Sequence, residues 1–217
     1  MSTTLRVSGQ HIRDAPLLDA NDQLAVIRGL REGSRDAWAR LYDNYSVDIW
    51  RYVARLLGPD AAAVGDVVQE SFLEAARSAR NFDPSRGTLW SWLVGIAHHR
   101  VSAHWRQASR HARWRHLVES GKLDVRHLFD GESETQAALE SHEAAVVVRG
   151  VLAQLSADYA ATLTAKYLDH HSLAEMAAQF GSSVDAMKSK LARARQEFRA
   201  KFEFMSKWAD ASANRSV

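Results

Sequence analysis

Between Asp83 and Glu119 every formally charged side chain is an arginine: Arg86, Arg100, Arg106, Arg110, Arg113 and Arg115. Core-sized residues share the run, among them Trp92, Leu93, Val94, Ile96 and Val101, and histidines stand at 98, 99, 104, 111 and 116. Guanidinium groups without acidic neighbours suit a polyanion, because each phosphate they neutralise releases condensed counterions. A second basic run, Lys188, Lys190, Arg193, Arg195, Arg199 and Lys201, interleaves with Met187, Leu191, Ala194 and Phe198. Metal chemistry is the rival reading of the histidines. A zinc site wants three or four convergent ligands, yet His98, His99 and His104 do not share one helix face and no HExxH occurs. No metal, cofactor or catalytic residue is assigned.

These two runs sit in a chain of 217 residues, 46% apolar, with a net charge of only +2, so the basic character is local. Cysteine is absent, which excludes disulfides and thiolate metal sites and suits a reducing cytoplasm. No apolar run approaches the roughly 20 residues of a membrane span, so no membrane partner is expected.

Helices must position both runs, since three-and-four periodicity dominates and strand-like alternation is scarce. Trp38, Leu41, Tyr42, Tyr45, Ile49, Tyr52, Val53 and Leu56 line one face of a long helix that stops at Gly58-Pro59. A second helix sets Val64, Val67, Val68, Ser71, Phe72, Ala75 and Ala76 against Asp66, Gln69, Glu70 and Arg77. "NFDPSRG" is a loop, and a third helix runs from about Thr88 past Trp105. From Glu119 to Glu143 the chain turns acidic, as a linker would. Helical pattern then resumes to Phe204. Ser172 with Glu175 forms a capping box, Gly181 supplies the turn, and a helix with Val184, Met187, Leu191, Ala194 and Phe198 inward follows. That is a helix-turn-helix, whose second helix enters a major groove. The expected fold is all-α, two small helical domains: 1–20 a flexible extension, 21–116 the first domain, 117–143 the linker, 144–205 the helix-turn-helix domain and 206–217 a frayed tail.

"DAWARLYDNYSVDIWRYVARLLG", "DVVQESFLEAARSARNFDPSRGTLWSWLVGIAHHR" and the helix-turn-helix, in this order, resemble a bacterial RNA polymerase sigma factor of the extracytoplasmic-function group, over about Asp36–Arg106 and Val151–Phe204. The resemblance implies a non-catalytic initiation factor with core RNA polymerase, promoter DNA and an anti-sigma factor as partners. It implies polymerase contacts by Asp66, Gln69 and Glu70. It places the minus-ten element at the loop Asn81, Phe82, Asp83, Ser85 and Arg86, with Trp90, Arg100 and Arg106 behind it, and Trp92 in the core. It places the minus-thirty-five element at Asp185, Lys188, Ser189, Ala192, Arg193 and Arg195. His98-His99 departs from the family pattern, which often has an asparagine after "IA". The alternative is a conventional helix-turn-helix regulator with a helical sensor domain, binding palindromic duplex as a dimer.

Overall fold

The computed structural model describes residue 18, residues 20–107 and residues 142–213. Every regular element among them is helical: α1 Ala20–Glu32, α2 Arg35–Leu57, α3 Ala61–Ser78, a 3-10 turn Ala79–Asn81, α4 Leu89–Gln107, α5 His142–Leu152, α6 Ala157–Tyr167, α7 Leu173–Phe180 and α8 Val184–Ala213. Helix starts are written in local chemistry. Ser34, Asp60, Ser156 and Ser172 each accept from the backbone N–H three residues on, satisfying a donor that the helix itself leaves orphaned. Glu175 also reaches back to the Ser172 N–H at 2.8 Å, closing the capping box. Gly181 ends α7 in the left-handed region (φ 62°, ψ 41°), where a side chain would be strained, and its N–H bonds the carbonyls of Ala177 and Ala178.

The first module packs α2 against α1, α3 and α4. Leu41, Ile49, Val53 and Leu56 of α2, Val64 and Ala75 of α3, and Leu89, Ala97 and Val101 of α4 are at most 1% exposed. The second packs α8 on α6 and α7, with Met176, Met187, Ala194 and Phe198 fully buried. The modules also touch each other. Helix α4 lies on α6 and α7, α2 on α5 and α6, and the buried apolar residues of both modules form one cluster. This docking has no local signal in the chain.

Several details depart from the sequence reading. Helix α1 belongs to the first module, although no helix is expected ahead of Trp38. Tyr42 lies at the edge of its apolar stripe and is 53% exposed, resting on Phe72 with ring centroids 5.0 Å apart. Ala76 is exposed, and Val184, expected inward, is 46% exposed at the start of α8. Helix α8 continues to Ala213, past the expected limit at 205. The linker expected over 117–143 lies outside the described residues except at its end, where α5 begins. The extension 1–20 also falls outside, apart from residues 18 and 20.

Candidate nucleic-acid and polymerase surfaces

Asp66, Gln69 and Glu70 are all exposed on the outer face of α3, one turn apart, while Val67, Val68 and Ser71 between them face the core. Two apolar neighbours were not picked out from sequence. Leu73 continues the same stripe and is 48% exposed, and the 44% exposed Trp50 ring lies over Gly65 at the start of α3. Leu73 could have been found seven residues beyond Asp66, where the helix repeats its face.

The loop after the 3-10 turn is shaped by Asp83, whose carboxylate accepts from the Ser85 backbone N–H at 2.9 Å and from its hydroxyl at 2.7 Å. Those two bonds, the hydroxyl's first, hold the Asp83 carboxyl below its ordinary range. Arg31 of α1 anchors the loop by donating to the Phe82 carbonyl at 2.7 Å. Asn81, Asp83, Ser85 and Arg86 remain exposed, whereas the Phe82 ring is buried and rests 5.1 Å from that of Trp92.

Both tryptophans pack on the core, Trp92 partly buried as expected of it and Trp90 the more deeply buried of the two. Trp90, assigned to the minus-ten surface, is 6% exposed and lines the contact with α6 and α7 beside Thr164 and Gln179. Trp92, assigned to the core, is half-buried on the wall of a groove of about 410 Å³ that also borders Asn81, Asp83 and Arg86. A helix turns 100° per residue, so positions 90 and 92 face nearly opposite ways. Which of them points inward depends on what packs against α4.

Arg100 is also not unpaired. Its Nη2 donates to Glu74 Oε2 at 3.0 Å, and its Nη1 lies 3.6 Å from Glu70 Oε2. These acids stand on α3, so the acid-free run around Arg100 is balanced from another helix. Arg106 stays exposed near the end of α4. Arg110 lies outside the described residues.

Helix α8 has an exposed face and a sealed one, with half-buried basic residues between them. Asp185, Lys188, Ser189, Ala192 and Arg193 are exposed on one face, and Met187, Leu191, Ala194 and Phe198, at most 4% exposed, are on the other. The basic residues do not all lie outward. Lys190 turns to α6, pairing with Asp158 at 2.8 Å over the Phe180 ring. Arg195 is half-buried, donating to the Tyr167 hydroxyl with its guanidinium 5.6 Å from that ring, and Arg199 is half-buried too. Arg195 therefore leaves the exposed face. Gln196, seven residues after Ser189, is exposed and continues it. Asp185 and Ala192 are both outward, so an acid opens the face and a methyl group sits at its centre.

Two family models match the chain: Sigma-70 region 2 over residues 41–111 and Sigma-70, region 4 over residues 146–198. The chain belongs to the sigma-70 family. Its relatives place it in the extracytoplasmic-function (ECF) group. It is 30% identical to the ECF RNA polymerase sigma factor BldN of Streptomyces coelicolor across 82% of this chain, and spans 65% of that protein. It is 33% identical to the probable RNA polymerase sigma-C factor of Mycobacterium bovis across 72% of this chain and 78% of that one. The solved structure of CnrH in complex with the cytosolic domain of CnrY is similar at a TM-score of 0.44 and 22% identity, covering 83% of this chain and 97% of that one. The first helical module is thus sigma region 2 and the second sigma region 4. Among the described residues of this sigma factor, no helix is long and apolar enough to cross a membrane. No group of three or more potential ligands among them is placed to hold a metal. Of the histidines once weighed as ligands, His98 is hydrogen-bonded on both nitrogens, and His111 and His116 lie outside the described residues.

Proposed function

We propose that this sigma factor reads the minus-thirty-five element with the outward face of α8 and the minus-ten element with the loop Asn81–Gly87 and α4, while the exposed stripe of α3 meets core polymerase. The observation that carries this reading is the split of α8. Lys188, Ser189 and Arg193 project from its first three turns, where a recognition helix meets base edges, and its opposite face is sealed in the core. Asp185 at the start of the helix can accept from a cytosine amino group, which would favour that base over its neighbours. Arg195, held by Tyr167, is reassigned to supporting the helix.

For the minus-ten element, an exposed polar loop beside the half-buried Trp92 offers hydrogen bonding and a stacking edge to single-stranded bases. Arg106 and Arg86 supply phosphate contacts. On α3, Asp66, Gln69 and Glu70 with the apolar Leu73 and Trp50 make a mixed surface of the kind protein partners cover. As regulatory subunits, sigma factors carry no catalysis of their own, and the place of action is the cytoplasm, with the polymerase. An anti-sigma partner is proposed on the family resemblance alone.

The test is run-off transcription with purified core polymerase on a promoter library. Initiation from a defined set of two-element promoters, lost when Asp66 and Glu70 are both replaced by alanine, is the expected result. Tight binding of a palindromic duplex by the protein alone, without polymerase-dependent initiation, would replace this reading with that of a dimeric regulator.

A further inference from the structure

Helix α1 ends at Glu32, ahead of residue 41, where the matched span of Sigma-70 region 2 begins. Its inner face is apolar and closely seated. Val26, Ile27 and Leu30 are buried, and the backbone at Gly29 comes so near α2 that a Cβ there would lie 2.6 Å from that of Ala37. Two polar side chains flank this seat, Gln23 and Arg31, little more than two turns and roughly 12 Å apart along the axis. Each reaches the loop between the 3-10 turn and α4. Arg31 donates from Nη2 to the Phe82 carbonyl at 2.7 Å, where the loop leaves the 3-10 turn. Gln23 Oε1 accepts from the Leu89 backbone N–H at 3.4 Å, where the loop enters α4, and its Nε2 donates to the Leu18 carbonyl at 2.9 Å.

Both contacts meet a need that the loop leaves open. A helix provides no partners for its own first N–H groups. In α4 the Thr88 hydroxyl accepts from the Ser91 N–H at 3.2 Å, and Gln23 supplies the acceptor for Leu89. At the other end the Phe82 N–H bonds back to the Ala79 carbonyl at 3.3 Å, while its own carbonyl turns to the Arg31 guanidinium. A charged donor makes that bond roughly twice as strong as a neutral one would. Phe82 is thus held twice, by its buried ring and by its carbonyl. The bonds inside the loop are short-range, Asp83 to Ser85 and the Arg86 N–H to the Asp83 carbonyl. They fold the loop on itself without fixing where it stands on the module.

We infer that Gln23 and Arg31 are positioning residues for minus-ten recognition: α1 splints both ends of the base-reading loop, and the loop's base preference depends on the splint. The inference rests on the reading of Asn81–Gly87 as the minus-ten surface proposed above. Discrimination between bases needs donors and acceptors held to within about 0.5 Å, which a loop attains only through the elements that brace it. None of the described residues lining the groove of about 410 Å³ beside the loop belongs to α1. Gln23 and Arg31 therefore act through Phe82 and Leu89. Their loss loosens the choice of base without removing a contact to DNA.

The test is selection of bound sequences by reconstituted holoenzyme from a library randomised at the minus-ten element. Arg31 is exposed, so Arg31→Ala carries little risk to folding. It should narrow the ratio between the preferred base and its next competitor by about fivefold or more, as a lost base contact would, with the minus-thirty-five ranking unchanged. Arg31→Lys keeps a donor for the Phe82 carbonyl and should retain most of the preference. At Gln23 a pair of variants isolates the acceptor. Gln23→Glu keeps an oxygen for the Leu89 N–H and should rank bases as the native chain does, whereas Gln23→Leu should narrow the ratio as Arg31→Ala does. Arg40→Ala is the control for plain support of α1: it breaks the 2.7 Å ion pair from α2 to Asp22, leaves the loop untouched and should not alter the ranking. Equal re-ranking by Arg40→Ala, or native ranking in Arg31→Ala and Gln23→Leu at native helicity and melting, overturns the splint. Asn81→Ala and Asp83→Ala separate the two levels. If they re-rank minus-ten sequences while the α1 variants do not, the splint alone falls; if they too leave the ranking unchanged, the minus-ten reading falls with it.

Discussion

Helices α4 and α8 are both basic and both amphipathic, yet they spend their charges differently. In α4 the basic groups are largely turned to the protein itself. His98 bridges the two modules, Arg100 pairs with Glu70 and Glu74, and Arg106 is left exposed near the helix end. In α8 the first turns keep Lys188 and Arg193 in solvent, while Lys190 and Arg195 are held by Asp158 and Tyr167. A count of lysines and arginines rates the two helices as equals. What separates them is which partners other elements bring.

The comparison breaks first if the apolar sides differ, where the largest effects are expected. Leu93 and Phe198 are 2% and 0% exposed, so Leu93→Ala should cost about 2–5 kcal/mol and Phe198→Ala about 3–5 kcal/mol of stability. Urea melts of both variants check this. A loss under about 1 kcal/mol at either site would mean that helix is not a core element.

Next in size are the exposed basic and polar residues of α8. Ser189→Ala and Arg193→Ala should each reduce promoter binding by holoenzyme by about 1–3 kcal/mol and re-rank minus-thirty-five sequences. Arg195→Ala should lower the melting temperature with the ranking unchanged, because its guanidinium is taken by Tyr167. Selection of bound sites from a randomised library measures all three. A re-ranking by Arg195→Ala would return that residue to the reading face.

The third effect belongs to α4 and to pH. Burial, with a lesser push from His99, holds the His98 imidazole below its ordinary value, against an opposing pull from the Leu155 carbonyl. In the unfolded chain the ring regains the ordinary value near 6.5 and binds more protons between the two, so the stability its burial contributes is fully present above about pH 6.5 and weakens as pH falls below it. The cleft beside His98 adds His99, Arg106 and Lys201, with no acid among its lining residues to favour protonation. The acids lining the contact between the modules, Asp48 and Asp169, are paired with Arg51 and Arg55. The urea midpoint should fall from pH 8 to 5.5 in the native chain and fall less in His98→Gln. A shift of equal size in that variant would move the titrating group elsewhere.

The smallest effect sharpens the contrast at Arg100. Its pairs with Glu70 and Glu74 are partly exposed, so Glu74→Gln should change stability by no more than about 1 kcal/mol. It should also leave Arg100 freer for phosphate, seen as a steeper salt dependence of promoter binding. An unchanged salt slope would keep Arg100 out of the DNA contacts.

What could be read from sequence was whatever has a short-range cause. The stripe of α2, the stop at Gly58, the capping box of Ser172 and Glu175, and the turn at Gly181 each follow from residues within a few positions. The exposed stripe of α3 and the apolar side of α8 from Met187 to Phe198 were legible for the same reason, whereas the outward places expected of Lys190, Arg195, Arg199 and Lys201 were not met. What escaped has partners far along the chain. Arg100 meets acids 26 and 30 residues earlier, Lys190 meets one 32 residues earlier, and His98 is bound by Tyr52 and Leu155, 46 and 57 residues away. The burial of Trp90 has that origin too: α6 and α7 cover one flank of α4, and no pattern within α4 announces them.

Helix α8 runs unbroken over 30 residues, from the recognition face into the packing around Phe198 and Phe202. At 1.5 Å per residue, Ser189 stands roughly 13 Å along the axis from Phe198. A tilt of about 10° at that base would therefore swing Ser189 by roughly 2 Å, a large part of the 3.4 Å between neighbouring base pairs. The helix acts as a pointer with its pivot in the core. Which base Ser189 addresses is then a matter of angular precision, set by side chains that never approach DNA.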